Sequence, residues 1–262
     1  MPVLGWIVIF TAVGGLLSAL AASVFLIASE RVRARVLPHL VSFATGALLG
    51  AALLGLLPHA VEEAGTVDVH EIGLTLLCGL LVFFVLEKLV LWRHCHQDIC
   101  EGHLPHDHHQ RGRDAASASL ILIGDGFHNV LDGILIAAAF MTDVHLGIVT
   151  AIAVTAHEIP QEVGDLAILL HGGMSRSRAM TLNLLTSVTS VLGGVLAYFL
   201  LADLTALLPY AIAIAASSFL YIAVADLIPG LHRRVDPGSS IKQFIFIVLG
   251  VAVIYVSHRI AH

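Results

Sequence analysis

The sequence has little charge and few cysteines. Only 12% of its 262 residues are charged, whereas a soluble domain carries roughly 25%. This shortage excludes a disordered chain, a nucleic-acid-binding protein with a basic face and nearly every water-soluble domain. Three cysteines do not suggest a disulfide framework. No GxxxxGK[ST] motif occurs, so we expect neither a nucleotide partner nor ATP-driven transport.

Hydrophobic residues make up 58% of the chain and fall into eight long runs. A helix needs about 20 apolar residues to cross a bilayer. We therefore predict an all-α membrane bundle of eight transmembrane helices that forms a single transporter domain over residues 1–262. The predicted spans lie near residues 4–27, 38–60, 72–92, 117–140, 146–170, 179–202, 206–229 and 241–258.

Basic residues are concentrated on one side of the predicted bundle. Apart from Arg259, which follows the last span, all lysines and arginines lie in the connections after spans 1, 3, 5 and 7 or, as Lys88 and Lys242 do, at the span ends that border them. Because positively charged connections stay in the cytoplasm, we predict that both termini lie outside. The connection 93–116 is then cytoplasmic, and the expected location is the cell (plasma or inner) membrane.

Two of the predicted spans end with similar residues. Gly55-Leu56-Leu57-Pro58 closes span 2, and Asp226-Leu227-Ile228-Pro229 closes span 7. These two spans are predicted to run in opposite directions, as an inverted repeat requires. The similarity predicts a repeat of spans 1–3 and 6–8 around spans 4 and 5.

Polar residues form stripes on three successive spans. Spacings near i, i+3, i+4 and i+7 place the members of each stripe on one helix face. A carboxylate in the middle of the bilayer costs at least about 2.5–3.5 kcal/mol, so the stripes should face one another. The members are Asp125, His128, Asn129 and Asp132 in span 4; His157, Glu158, Gln161, Glu162 and Asp165 in span 5; and Asn183, Thr186, Ser187 and Ser190 in span 6.

The types of polar residue indicate a metal site. Imidazole and carboxylate groups suit zinc, and also iron and manganese. His128 with Asp132, and His157 with Gln161, place such groups one helical turn apart. No thiolate is among them, which argues against a soft cuprous ion. The lack of a closed cysteine cage also suits an ion that must leave again.

Three other interpretations of the stripes stay open at this level. The polar residues could hydrogen-bond the helices together, or conduct protons along a chain of histidines and carboxylates. A third candidate is an intramembrane zinc metalloprotease that uses His157 and Glu158, because His157-Glu158-Ile159-Pro160-Gln161 nearly matches the two-histidine protease motif. The second histidine of that motif is missing, and Pro160 would distort its helix. We therefore expect a carrier and not an enzyme.

The motifs HNVLDG of span 4 and HEIPQEVGD of span 5 resemble the metal-binding helices of the ZIP (Zrt/Irt-like protein) transporters. The similarity is to the branch with HNxxDG and HExPHExGD patterns, and it covers the whole chain. It implies a carrier that moves zinc, or in some members iron, manganese or cadmium, toward the cytoplasm by alternating access. It also implies that spans 1, 4, 5 and 6 form the moving group.

The resemblance assigns roles to single residues. His128, Asp132 and His157 are similar to the first metal position of the family. Asn129 and Glu158 are similar to a neighbouring second position. The metal is the substrate in this family, so no cofactor is implied.

Three positions depart from the family pattern. Gln161 occupies a bridging place where many members have His or Glu. Ser190 stands where some members have an acid, and Gly230 follows Pro229 where an acid is common. Because Gln161 and Ser190 are neutral, we expect one principal site made of the two histidines and the two acids, with Gln161 as a weak ligand.

Further polar residues extend the predicted ion path. This secondary set consists of Asp125, Glu162, Asp165, Ser190, Asp226, His59 and Glu62. His59 and Glu62 lie at the outer end of span 2, in a connection with acids and no bases that would concentrate cations. A solvated helix end accounts equally well for the neighbouring Glu63, Asp68 and Glu71. The small residues Gly46 and Gly50 favour close helix packing, and a homodimer stays open.

The connection 93–116 is rich in histidine. Its members that could accept a metal are His94, His96, His103, His106, His108 and His109. The segment is either a cytoplasmic metal acceptor or a solvated loop that binds metal only adventitiously. Deletion of 94–109 separates the two interpretations: loss of metal uptake would indicate an acceptor, and unchanged uptake a solvated loop.

Overall fold

The computed structural model describes residues 2–65, 68–94, 110–171, 173–232 and 237–261. All regular structure within these ranges is helical. The α-helices are α1 (Val3–Ile27), α2 (Glu30–Gly50), α3 (Leu57–Glu63), α4 (Val69–His94), α5 (Gln110–Thr142), α6 (Val144–His171), α7 (Arg176–Leu201), α8 (Leu208–Tyr221), α9 (Ile228–Leu231) and α10 (Pro237–Ala261). Two π-helical segments, Ala51–Leu56 and Ile222–Leu227, join α2 to α3 and α8 to α9, and a 3₁₀ turn at Thr205–Leu207 precedes α8.

Seven helical stretches in the described part of the chain are long and apolar enough to cross a membrane. They are Val3–Phe25, Arg31–Glu63, Val69–Leu89, Leu122–Thr142, Arg176–Leu201, Thr205–Leu231 and Gly238–Arg259. The 28-residue helix α6, which corresponds to the predicted fifth span, is long enough but is not among them. Its polar stripe makes it less apolar than the others. The predicted count of eight spans is therefore not confirmed.

Several helices extend beyond the apolar runs that predicted them. The second run was expected near 38–60, but the helical stretch begins at Glu30 and continues through Pro38. The fourth was expected near 117–140, but α5 runs from Gln110 to Thr142. Apolar runs indicate only the part of a helix that lipid covers, because backbone hydrogen bonds continue the helix into the polar interface.

The lipid-facing surface and the interior differ in side-chain size. Alanine dominates the main buried cluster, together with Phe140, Phe219 and a few Leu and Ile residues. Large apolar side chains instead cover the outside, for example Ile123, Leu192 and Phe244. Small residues let helices in a bilayer approach closely, since lipid tails solvate large apolar side chains as well as protein does. This distribution is the one expected of a membrane protein.

The two π-helical segments overlap the two positions at which the sequence repeats itself, sharing Gly55 and Leu56 with the first and Asp226 and Leu227 with the second. The N–H of Leu57 donates to the carbonyl of Ala52, and the N–H of Ile228 donates to the carbonyl of Ala223, five residues back in each case. Proline follows directly in both, as Pro58 and Pro229. A proline has no N–H and crowds the carbonyl one turn before it, which disfavours a regular α-helical turn there. The two sequence segments thus share an unusual backbone.

The helices pack in two groups in the described part of the chain. One group contains α1, α5, α6 and α7, and the other contains α2, α3, α4, α8, α9 and α10. The groups meet mainly where α6 packs on α2 and where α5 packs on α8. We call them the α5–α6 group and the α2–α8 group.

Glycines hold α2 and α10 together in the α2–α8 group. A Cβ added to Gly46 would collide with the backbone carbonyl of Ile247. On the opposing helix, a Cβ added to Gly250 would collide with the backbone carbonyl of Phe43. The predicted packing role of Gly46 is therefore confirmed, with α10 of the same chain as its partner.

Glycines likewise allow close packing of α7 against α5 in the α5–α6 group. A Cβ on Gly133 would collide with the carbonyl of Ser190, and a Cβ on Gly193 would collide with the carbonyl of Val130. One turn away, the Thr189 hydroxyl donates to the Gly126 carbonyl at 2.8 Å. The polar stripe of α7 is therefore held against that of α5.

A tight turn sets the register between α5 and α6. Only Asp143 separates the two helices, and its Oδ1 accepts hydrogen bonds from the N–H groups of His145 (2.8 Å) and Leu146 (2.9 Å). Burial alone would raise the pKa of Asp143, but these hydrogen bonds hold it below its ordinary value. His128 precedes Asp143 by 15 residues and His157 follows it by 14. Two antiparallel helices joined by such a short turn therefore carry both histidines at the same level.

We expect Gly46→Ala to destabilise the protein, because the added methyl group would collide with the backbone of Ile247, which cannot move away as a flexible side chain could. Overpacking of this kind costs about 1–3 kcal/mol. The thermal midpoint of the purified protein in detergent should fall.

Gly73→Ala is the matched control, because nothing lies within 4 Å of a Cβ added at this helical glycine. Its midpoint should stay equal to that of the wild type or rise. Equal midpoints for the two variants would contradict the close packing of α2 on α10.

Candidate metal site

The stripes of α5 and α6 meet in the interior of the α5–α6 group. His128, Asp132, His157 and Glu158 each place one candidate ligand atom there, and the four atoms lie within 4.8 Å of one another. We call these residues the four-residue site. The first two lie one helical turn apart on α5, and the other two are adjacent on α6. The structure thus brings together the two histidines and two acids that the sequence predicts as the principal site.

The distances within the four-residue site suit a small cation. Nε2 of His128 lies 3.2 Å from Nε2 of His157 and 3.6 Å from Oδ2 of Asp132. Oδ2 of Asp132 lies 3.2 Å from Nε2 of His157, and Oε1 of Glu158 lies 3.7 Å from Nε2 of His128. Ligands about 2.0–2.2 Å from a tetrahedral metal stand roughly 3.3–3.6 Å from one another. The spacing of the side chains is therefore close to that of a zinc coordination shell.

The His157 ring is oriented by a backbone contact. Its Nδ1 lies 3.2 Å from the carbonyl oxygen of Ala153, one turn earlier on α6. A carbonyl only accepts, so Nδ1 carries the proton and Nε2 presents its lone pair to the four-residue site. Partners of this kind fix the ring of a metal-binding histidine. Phe219 of α8 packs near the ring, with 6.3 Å between centroids, and His157 is 1% exposed.

The two carboxylates of the four-residue site lack hydrogen-bond partners among the described residues. Asp132 and Glu158 are buried, and all four of their oxygens are without a hydrogen bond within the described residues. Oδ2 of Asp132 faces the lone pair of His157 Nε2, so this contact is repulsive while both lack a proton. A buried carboxylate without a donor is costly. A divalent cation between the four ligand atoms would remove that cost, and the donor set fits a transition metal.

Asn129 and Gln161 lie at the margin of the four-residue site. The Asn129 amide nitrogen donates to Oδ1 of Asp125 at 3.0 Å and to the carbonyl oxygen of the same residue at 3.1 Å. It therefore turns toward the preceding turn of α5. Gln161 is half-buried on α6, and no hydrogen bond links it to the four-residue site in the described chain. Their roles as ligands stay predictions.

Part of the secondary set lies farther along the same helices. Asp125 and Glu162 are buried, Ser190 is buried against α5, and Asp165 is half-buried. Glu162 Oε1 accepts a hydrogen bond from the Ser187 hydroxyl at 2.9 Å. Ser187 and the buried Asn183 belong to the stripe of span 6, and the sequence alone does not assign these two residues to a site. The spacing signal was present, yet serine and asparagine alone do not distinguish a site from helix packing.

The remaining predicted residues are not part of the four-residue site. Asp226 is exposed, in the second π-helical segment. Nδ1 of His59 lies 2.9 Å from the carbonyl oxygen of Gly55, and the His59 ring packs near that of His258. Glu62 is exposed. His94 is the last residue of α4. The other predicted loop ligands, His96, His103, His106, His108 and His109, lie outside the described residues.

Comparison with known proteins identifies related chains. The family described as ZIP zinc transporter matches residues 92–258. "Zinc transporter zipt-7.1" of Caenorhabditis briggsae is 28% identical over 96% of this chain and 78% of its own length. "Zinc transporter ZIP13" of Homo sapiens is 31% identical over 83% of this chain and 69% of its own length. "Zinc transporter ZIP5" of Homo sapiens is 32% identical over 87% of this chain and 53% of its own length.

The family match covers the helices that carry the four-residue site, and it extends from the end of α4 into α10. The named relatives are carriers and not enzymes, so the expectation of a non-enzyme is confirmed and the protease interpretation is not favoured. Together with its apolar helices, these findings identify an integral membrane protein. The chain belongs to the ZIP zinc transporter family.

Proposed function

We propose that the protein carries a divalent transition metal, above all zinc, across its membrane toward the cytoplasm. The convergence of His128, Asp132, His157 and Glu158 within 4.8 Å carries this proposal. The names of the relatives support zinc as the substrate. Iron, manganese and cadmium are further candidates, because imidazole and carboxylate ligands also accept these ions.

The four-residue site offers what a metal ion needs when it leaves water. Two carboxylates balance the two positive charges of the ion, and two imidazole nitrogens replace part of its hydration shell. Burial strengthens each of these attractions, because water does not screen them. None of the four ligands is a thiolate, so the bound ion is held less tightly than in a closed cysteine site and can be released.

Alternating access follows from the division into two groups of helices. All four ligands stand on α5 and α6, so an ion bound there would move with the α5–α6 group. The α2–α8 group covers the site, with α2 against α6 and Phe219 of α8 near His157. Movement of one group against the other would open the site first to one side and then to the other.

The proposed topology has α6 as an eighth span. Its polar face is buried against α5 and α7 and is not exposed to lipid, which makes a less apolar helix tolerable inside a bundle. The π-helical segments before Pro58 and Pro229 support an inverted repeat of spans 1–3 and 6–8. The arginines and lysines in the connections support an outside location of both termini.

We expect His128→Ala and His157→Ala each to reduce zinc uptake by purified protein in liposomes by more than about tenfold, because each removes a proposed ligand. His70→Ala is the matched control, since the His70 side chain is 93% exposed at the start of α4. Uptake should be measured with a zinc-sensitive dye inside the vesicles. Unchanged zinc uptake in both His128→Ala and His157→Ala, with the protein still folded, would contradict the proposal.

A second expectation concerns stability. In a chelator, Asp132→Asn should raise the thermal midpoint, because an amide can donate a hydrogen bond to His157 where a carboxylate repels it. Removing an unsatisfied buried group is worth about 1–3 kcal/mol. Zinc should then raise the midpoint of the wild type but not of the variant.

The exposed Asp203 provides the control. Asp203→Asn should change neither the midpoint in chelator nor the response to zinc. A lower midpoint for Asp132→Asn in chelator, together with a full zinc response, would mean that Asp132 is a structural residue and not a ligand.

A further inference from the structure

A second group of buried oxygens lies beside the four-residue site. Oδ2 of Asp125, Oε2 of Glu162 and Oδ1 of Asn183 are all without a hydrogen-bond partner in the described chain. The three residues come from α5, α6 and α7 and are 5%, 0% and 1% exposed. Three unsatisfied acceptors on three neighbouring helices are more than helix packing requires, because each one is costly to bury.

The other oxygen of each carboxylate is already held in place. Oδ1 of Asp125 accepts from the Asn129 amide at 3.0 Å, and Oε1 of Glu162 accepts from the Ser187 hydroxyl at 2.9 Å. The same hydroxyl lies 3.1 Å from the carbonyl oxygen of Asn183. One oxygen per carboxylate is therefore fixed by the protein, and the second is left facing its neighbours.

Glu162 links the other two residues. It interacts with Asp125 electrostatically and lies within hydrogen-bonding reach of the Asn183 side chain. Asp125 in turn approaches Thr186, which lies one turn from Asn183 on α7. The glycine contacts between α5 and α7 hold the helices close enough for this arrangement. Asp125 precedes His128 by three residues, a rise of about 4.5 Å along the helix, so the group is distinct from the four-residue site.

We propose that Asp125, Glu162 and Asn183 form a second divalent-cation site whose donors are all oxygens. Two carboxylates and an amide oxygen suit a hard cation such as Mn²⁺, which keeps water in its remaining positions. The binding claim stands on this geometry. Its place in transport rests on the proposed function: the second site receives the ion as it leaves the histidines, on the side of the bundle where α6 ends and α7 begins.

The difference in donors gives the two sites different preferences. The four-residue site has two imidazole nitrogens, which favour zinc, whereas the second site has none. An ion passing from the first to the second would exchange nitrogen for oxygen ligands and be held less tightly. The second site would therefore favour release of zinc while still accepting manganese.

The test is Mn²⁺ binding to the purified full chain in detergent, followed by electron paramagnetic resonance. The double variant His128→Ala/His157→Ala removes the nitrogen ligands of the first site. It should still bind one Mn²⁺ per chain, and pulsed spectra should show no coupling to histidine nitrogen. Adding Asp125→Asn or Glu162→Gln to the double variant should weaken that binding at least about tenfold.

Two further variants keep the test decisive. Asn183→Leu replaces the amide by an apolar group of similar size and should also weaken Mn²⁺ binding, whereas Asp203→Asn should not. If the double variant binds no Mn²⁺, or if Asp125→Asn, Glu162→Gln and Asn183→Leu all leave binding unchanged, the three residues only hydrogen-bond the helices and the second site does not exist. If the double variant loses zinc uptake but still binds Mn²⁺, both proposals are supported. If the wild type itself takes up no zinc but binds Mn²⁺ at the second site, only the transport proposal is overturned.

Discussion

The structure depends on burying carboxylates inside an apolar bundle. The oxygens of Asp132 and Glu158 form no hydrogen bond among the described residues, although each carboxylate lies near an imidazole nitrogen. Such groups cannot face lipid, so α6 must be surrounded by other helices. Its contacts with α1, α2, α5 and α7 supply that shield. In the proposed function, the cost of these carboxylates would favour the entry of a cation.

Close helix packing makes this burial precise. Glycines bring α7 onto α5 and α10 onto α2, so that backbone touches backbone within each of the two groups. The single-residue turn at Asp143 then sets the level of α6 relative to α5. Because the ligands of the four-residue site stand on these two helices alone, the site keeps its geometry if the α5–α6 group moves as one body. In the proposed mechanism, the movement takes place at the interface with the α2–α8 group.

Much of this could be predicted from the residues, and what the residues could not show has identifiable causes. Helical spacing placed His128 beside Asp132 on one face, and the short turn brought His157 to meet them. The same spacing could not show that the Asn129 amide turns toward Asp125, since a helix face does not determine a rotamer. The count of eight spans is not confirmed, because the polar stripe that carries the proposed ligands of α6 also lowers the hydropathy of this helix. The π-helical turns before Pro58 and Pro229 gave only a faint sequence signal, the shared proline.

The residues alone indicate the class of the protein: long apolar runs require membrane helices, and polar residues one turn apart require a common buried face. They also determine which ligand types are available to a metal. Which of them converge depends on the tertiary structure. It brings four ligand atoms within 4.8 Å of one another and leaves oxygens of Asp125, Glu162 and Asn183 without hydrogen-bond partners among the described residues. Periodicity specifies only the face of a single helix, whereas depth, rotation and contact between helices arise from packing along the whole chain.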